Sequence, residues 1–445
     1  MSYNLNLIAS LATTILANTK KGMVDAALYS RIRVIGGKGS VITVKGETGA
    51  FTGRMPDDAA PTVSFVDDGC DALAESVQEI LKDTAFREKV GQAAVLESVG
   101  KFVQHHFGHP VPNDMRQAIK DEILKPLREE IHPWKVVVPV VNLVVKTPLS
   151  IGPVTLTAYE PTFSEATAYV VNHPFGGAPE THDQQRTVAL DVVRQITGES
   201  KAFAHVQTEA HPKHCCIRGR ATAALAINLL RSFTHAFYSH SQRARFGLSS
   251  EIQTGTSRLL SLGQEDRTCF QAVIETKGVL FPFELDGGKI SYLHERCAFG
   301  EAISIMEKKP DDWTSLESVV VQAAQALGQS VVAQSADESF LGCTIAVERL
   351  LIPDGTETTV ERFSDRLALL LGATEEERVW ISTSAKRLYD LRSKIVHAAF
   401  TGVTDDDYLD MEAWAIRCLI EGLKARTTIP NHAEFCTNIN AKKFA

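Results

Sequence analysis

Arg392 and His397, with four residues between them, are the pair in this chain whose types can do chemistry together. Histidine titrates near neutrality and can take or give a proton. Arginine stays charged and clamps phosphate oxygens through two parallel N–H donors. With the polar Ser393 and Tyr389 beside them, such a pair suits metal-independent RNA cleavage. There the neighbouring 2′-hydroxyl is the nucleophile, and the protein supplies only acid/base groups and charge stabilisation. From Ala385 to His397 the basic residues are Lys386, Arg387, Arg392 and Lys394, against one acid, Asp390. This local positive face sits in an acidic chain of 445 residues, with 46 Lys+Arg against 54 Asp+Glu and a net charge of -8. A protein that coats nucleic acid through bulk charge would be basic. Any contact with RNA is therefore expected to be local.

A helix has to position these side chains. At ~100° per residue, Leu388, Leu391, Ile395 and Ala398 fall on one stripe, the natural bundle-facing side. His397 projects from nearly the opposite side, Arg392 lies on its flank, and Lys386, Tyr389 and Ser393 fill the face between. Arg392 and His397 stand ~140° apart on an ideal helix, so they do not meet by stacking along one edge. Either the long Arg side chain curls toward His397, or a second copy of the helix brings its own pair opposite, which makes the site a property of a dimer.

The surrounding sequence punctuates itself as helices. Ser/Thr-x-x-Glu starts occur at Ser335 with Glu338, Thr358 with Glu361, and Thr374 with Glu377. In each, the hydroxyl can take the N3 amide while the glutamate reaches back to the cap amide. Pro353-Asp354-Gly355 and Gly372 are turn residues, and Asp405–Asp407 supply acids where the dipole of a last helix favours them. The pattern predicts five helices, at about 312–333, 336–352, 359–371, 375–399 and 405–425, joined by short loops as in an antiparallel bundle.

The run Leu388-Tyr389-Asp390-Leu391-Arg392-Ser393-Lys394-Ile395-Val396-His397 resembles the signature of the Apea-like HEPN family, defined by Arg, four to six residues, then His. Val347-Glu348-Arg349-Leu350-Leu351 and Arg362-Phe363-Ser364-Asp365-Arg366-Leu367-Ala368 in the preceding helices agree with it, and the likeness covers about 312–425. The resemblance implies a small all-α bundle that pairs, as a homodimer or higher homo-oligomer, so that two Arg/His motifs share a composite groove. It implies an RNA endonuclease that leaves a cyclic phosphate and a 5′-hydroxyl without a metal, in toxin, abortive-infection or CRISPR-associated systems of prokaryotic antiphage defence. Carried onto this chain, Arg392 would bind or polarise the scissile phosphate and His397 would be the acid/base. Ser393 holds the position after the Arg where many relatives carry Asn or another polar residue. Ser393, Tyr389, Lys394 and Lys386 are the expected substrate-binding side chains. A phage-derived trigger or an antitoxin is the expected regulator. Some HEPN domains have lost activity, so a non-catalytic RNA-binding or assembly module is the alternative.

The rest of the chain is expected to be an α+β N-terminal region ahead of this all-α C-terminal HEPN bundle, divided as 1–134 mixed and helical, 135–310 α+β and of sensing or regulatory type, 311–427 bundle, and 428–445 tail. Residues 73–131 look helical, broken around Gly108, Pro110 and Pro112, and Ser40–Val44 looks like a strand. A β-branched run covers Val136–Val145, a strand follows the turn Gly152-Pro153, a helix covers Ala221–Leu230, and a further strand covers Val279–Phe283.

Leu5, Ile8, Leu11 and Ile15 recur at helical spacing, which favours an amphipathic helix over a signal peptide. No run approaches the ~18 apolar residues of a membrane span. The eight cysteines are scattered, apart from the adjacent Cys215 and Cys216, and none forms a CxxC. Reduced thiols and a cytoplasmic location follow as the expectation. His211-Pro212-Lys213-His214-Cys215-Cys216 offers four zinc-type donors, to which His205, His235 or His240 could be added by folding. It lacks the usual paired spacing, and a loop with buried thiols before a helix is the plainer reading. His105-His106-Phe107-Gly108-His109 reads as a helix end with exposed imidazoles, Gly36-Gly37-Lys38-Gly39-Ser40 as a glycine turn before a strand, and Asp405–Asp407 as a helix cap. Neither a metal nor a cofactor is assigned.

Overall fold

The computed structural model describes residues 3–21, 42–44, 63–65, 68–172, 179–198, 201–237, 245–248, 251–252, 255–262, 270–277, 282–333, 335–353, 359–398 and 402–444. They divide into two compact units, Met1–Val136 with Gln207–Arg220, and Val137–Val206 with Ala221–Ala445.

In the first unit, helix α1 (Leu5–Ala17) starts at Asn4, whose side chain accepts from the amides of Asn6 and Leu7 at 3.1 and 3.2 Å. That satisfies two of the donors a helix start leaves open. The expected amphipathic helix forms here, with Ile8, Ala12 and Ile15 buried on one side. They share a core with Leu73, Val77 and Ile80 of α2 (Asp68–Ile80) and with Phe86 of α3 (Thr84–Lys89). Val95, Val99 and Phe102 of α4 (Gly91–His106) complete that core. After the break expected around Gly108–Pro112, α5 (Met115–Ile119) runs through a π-helical turn (Lys120–Leu124) into α6 (Lys125–Glu129). Strands β1 (Thr19–Lys21) and β2 (Ile42–Val44) both pair antiparallel with β3 (Val63–Phe65). The strand expected from Ser40 is therefore present over Ile42–Val44. Ser40 itself and the glycine turn before it lie outside the described residues.

The β-branched run, along which the chain passes from the first unit into the second after Val136, is two strands. Asn142 takes a left-handed φ of 59°, a conformation Asn tolerates better than β-branched residues do. It separates β4 (His132–Val141) from β5 (Leu143–Val145). Strand β5 then pairs parallel with β12 (Phe283–Leu285). The strand expected over Val279–Phe283 appears only from Phe283 onward; Pro282 stands before it, and residues 279–281 lie outside the described residues. The main sheet has the order β6-β7-β8-β4-β9, with β6 (Leu149–Ile151), β7 (Val154–Ala158), β8 (Ala202–Ala210) and β9 (Gly247–Leu248). A separate antiparallel hairpin is made by β10 (Gly255–Leu262) and β11 (Phe270–Lys277). Helices α7 (Tyr159–Asn172), α8 (Pro179–Gly198), α9 (Pro212–Arg231), α10 (Gly287–Arg296) and α11 (Phe299–Met306) connect these strands to the C-terminal helices.

Gly152 closes the β6–β7 hairpin at φ 55°, and a Cβ there would sit 2.2 Å from the Met306 carbonyl oxygen. Gly152→Ala should therefore cost more than the ~1–2 kcal/mol of a left-handed alanine alone, read as a lower denaturant midpoint at unchanged slope.

The C-terminal helices are α12 (Ser315–Ser330), α13 (Ala336–Leu351), α14 (Val360–Leu371), α15 (Glu375–Ala398), α16 (Asp405–Ala425) and α17 (His432–Ala441). The first five match the expected positions to within about three residues. Their caps are local: Thr314 forms a full capping box with Glu317, Ser335 caps α13, and Thr374 accepts from the Glu377 amide. For α14 the cap is Thr359, which accepts from Arg362, and Thr358 lies outside the described residues. Thr404 caps α16 through Asp407.

The expectation of a tail at 428–445 is corrected. Phe435, Cys436 and Ile439 are apolar at helical spacing, and they bury as one face of α17. His432 Nε2 lies 2.9 Å from the Leu350 carbonyl oxygen, tying that helix to the end of α13. Among the described residues, no helix is long and apolar enough to cross a membrane.

Candidate functional site

Helix α15 carries three glutamates in its first turn, Glu375, Glu376 and Glu377, where the helix dipole favours them. Its inward stripe is Ile381, Ala385, Leu388 and Tyr389, all buried, whereas Leu391 and Ile395 are only half-buried. The expected orientation is thus rotated by about one residue. Tyr389 does not share the outer face with Lys386 and Ser393. It is only 8% exposed, and its ring centroid lies 4.9 Å from that of Phe363 on α14. Lys386 and Lys394 are exposed and Ser393 is half-buried. The basic face is smaller than counted from sequence, because Arg387 is ion-paired with Asp407. Burial pushes the Asp407 carboxyl up, but Arg387 and the Thr404 cap outweigh this and hold it below the usual carboxylate range.

Arg392 is half-buried between two partners. One guanidinium nitrogen lies 3.5 Å from Glu348 Oε1 on α13, and the guanidinium carbon sits 5.6 Å from the centre of the Tyr389 ring. Among the described residues it donates no hydrogen bond, so most of its five donors remain open to an anion. Glu348 Oε1 is itself buried without a hydrogen-bond partner, held near Arg392 by charge at a distance too long for a good hydrogen bond. The Tyr389 phenol is pushed up to about 12, first by burial and then by the Glu348 carboxylate, with Arg392 pulling it back only partly. Glu348→Gln removes that negative charge, so the Tyr389 pKa should fall from about 12 toward its ordinary value. Titration of a site-specifically labelled Tyr389 ring by NMR reads this directly.

His397 occupies the last turn of α15 and is exposed. Among the described residues, neither a hydrogen bond nor an ion pair joins it to Arg392. One copy of the helix presents the two groups about 7.5 Å apart along its axis, with Arg392 anchored and His397 facing outward.

The His211–Cys216 segment does not converge on a common point. His211 Nε2 lies 2.6 Å from Glu130 Oε2, and its Nδ1 accepts from the Lys213 amide at 3.1 Å, so both nitrogens are engaged. His214 packs on Gly91, where a Cβ would sit 2.3 Å from the imidazole Nδ1. Burial, then the Arg218 charge, push the His214 pKa down. Cys215 donates to the Pro212 carbonyl at 3.1 Å. His205, in the second unit, instead meets the Thr162 hydroxyl at 2.8 Å. The His235 side chain and His240 lie outside the described residues.

Comparison with protein-family models, with curated proteins and with solved structures finds no match for this chain. Sequence reasoning did not select Glu348 as a site residue. The signal for it was a carboxylate set among Val347, Leu350 and Leu351, apolar positions that a helix buries and at which an acid needs a cation.

Proposed function

We propose that this chain is a metal-independent endoribonuclease of the HEPN type, cytoplasmic and acting as a regulated effector of prokaryotic antiphage defence, with Arg392 and His397 as its catalytic residues. The observation that carries this reading is the setting of Arg392. Glu348 and Tyr389 fix its guanidinium while most of its donors stay open, and His397 stands exposed on the same helix. In the proposed reaction the 2′-hydroxyl attacks the adjacent phosphorus and the bond to the 5′-oxygen breaks, leaving a cyclic phosphate and a 5′-hydroxyl. Arg392 stabilises charge on the phosphate oxygens, while His397 takes or supplies a proton. Lys386, Ser393 and Lys394 lie along the same helix to hold the RNA backbone. The separation of Arg392 from His397 on one helix favours a composite site in a homodimer, in which each copy supplies part of the pair.

One observation favours a second reading, a non-catalytic RNA-binding or assembly module: the Arg392 charge already faces a carboxylate, Glu348. Induced expression of the wild type beside Arg392→Ala and His397→Ala, with and without phage challenge, separates the two. The nuclease reading expects growth arrest and RNA fragmentation that need both residues. Equal behaviour of all three folded proteins, with phage protection retained, would leave the binding module.

A further inference from the structure

From the first unit we infer a binding site for a zinc-type divalent metal ion, built from His105, His106 and Glu122. These residues come from two separate helical segments, the end of α4 and the π-helical turn. One donor atom of each lies within 4.8 Å of the other two. His106 Nε2 already lies 3.0 and 3.2 Å from the two Glu122 carboxylate oxygens. Ligand atoms bound to tetrahedral zinc at 2.0–2.1 Å stand about 3.3 Å apart, so donors within 4.8 Å of one another have at most about 1.5 Å to close.

Three observations point in the same direction. The donor set is two imidazoles and one carboxylate, which suits zinc and its borderline neighbours rather than magnesium or calcium, whose sites are built from oxygen. Glu122 sits in a π-helical turn, a rare insertion that recurs at functional sites. Within that turn Ile123 and Leu124 are buried while Glu122 stays exposed beside His106. The His106 ring is braced, 4.5 Å from the buried Phe102 ring, while the exposed His105 ring stands edge-on 4.9 Å away. A plain His–Glu hydrogen bond uses one imidazole, and here a second imidazole stands beside the pair. His105 and Glu122 are exposed, so an ion reaches the site from solvent. Three protein donors leave a fourth position for water, as in sites that keep an exchangeable ligand. The three donors belong to the first unit, and Arg392 and His397 to the second.

Titration of the reduced full-length protein with Co²⁺, followed by displacement with Zn²⁺, tests this. The expected result is one ion per chain, with a four-coordinate ligand-field spectrum that lacks thiolate character. Binding should be weakened in both His105→Ala and Glu122→Gln by more than the roughly 10–100-fold that loss of an outer-shell partner costs. Both substitutions are at exposed positions and should leave the metal-free thermal midpoint unchanged. Absence of binding at millimolar Co²⁺ and Zn²⁺, thiolate character in the spectrum, or affinity unchanged in Glu122→Gln would overturn the site.

Discussion

Replacing His397 by alanine is expected to slow RNA cleavage by about 10²–10⁴-fold, the span that a positioned acid/base group contributes. The imidazole is exposed at the end of α15, so its removal opens no core cavity and the folded state should be unaltered. Arg392→Ala should slow the reaction by about 10²–10³-fold, as the loss of one donor to a developing oxyanion does. Arg392→Lys should recover only part of this, because a point charge does not reproduce the two-pronged fork. Single-turnover cleavage of one defined RNA, with circular dichroism of each variant, separates lost chemistry from lost folding. RNA binding that survives His397→Ala, with no cleavage by the wild type under any trigger, would move the protein to the binding-module reading.

The second large effect concerns stability. Glu317 is 1% exposed, and its carboxylate accepts from Lys308 Nζ and from an Arg426 guanidinium nitrogen, each at 2.7 Å. Its other oxygen accepts from the Thr314 amide at 3.0 Å in the capping box. Arg426 reaches Glu301 as well, at 2.7 Å. Glu317→Ala removes the centre of this network and leaves Lys308 and Arg426 without their shared acceptor. A loss of about 1–3 kcal/mol is expected, the cost of charged hydrogen bonds lost, because Arg426 keeps Glu301 and Lys308 reaches solvent.

The pH dependence follows from the same contacts. Burial pushes the Glu317 carboxyl up, but Lys308, the Thr314 amide and Arg426 outweigh it, so its folded-state pKa lies below its ordinary value. Its stabilisation is therefore complete above the ordinary carboxylate pKa, and it is lost as pH falls through the folded value. Urea midpoints of the wild type and Glu317→Gln should differ most at neutral pH and converge in acid. A difference that grows in acid would contradict this assignment.

The features legible in the sequence were those set by neighbours in the chain. Helix α13 lies at Ala336–Leu351 where 336–352 was expected, and α16 lies at Asp405–Ala425 where 405–425 was expected. Caps such as Ser335 and turn residues such as Gly372 act within a few positions. What needed the fold was everything decided by a distant partner. Tyr389 turns inward because Phe363, on another helix, completes its surroundings. Glu348 meets Arg392 only once α13 and α15 are placed together. Asn142 divides a continuous β-branched run because β5 finds its partner in β12, about 140 residues later. The Arg392 and His397 pair was found from residue type and spacing, but its support was not. In the first unit, spacing marked His105 and His106 as a helix end, and Glu122, in the π-helical turn, meets them only in the fold.

The most direct measurement is the chemistry of the RNA ends made by purified wild-type protein in excess chelator, beside His397→Ala. Ends carrying a 2′,3′-cyclic phosphate and a 5′-hydroxyl, produced by the wild type and lost with His397, are the expected result. Ends carrying a 3′-hydroxyl and a 5′-phosphate, or equal cleavage by the variant, would contradict a metal-independent site on α15.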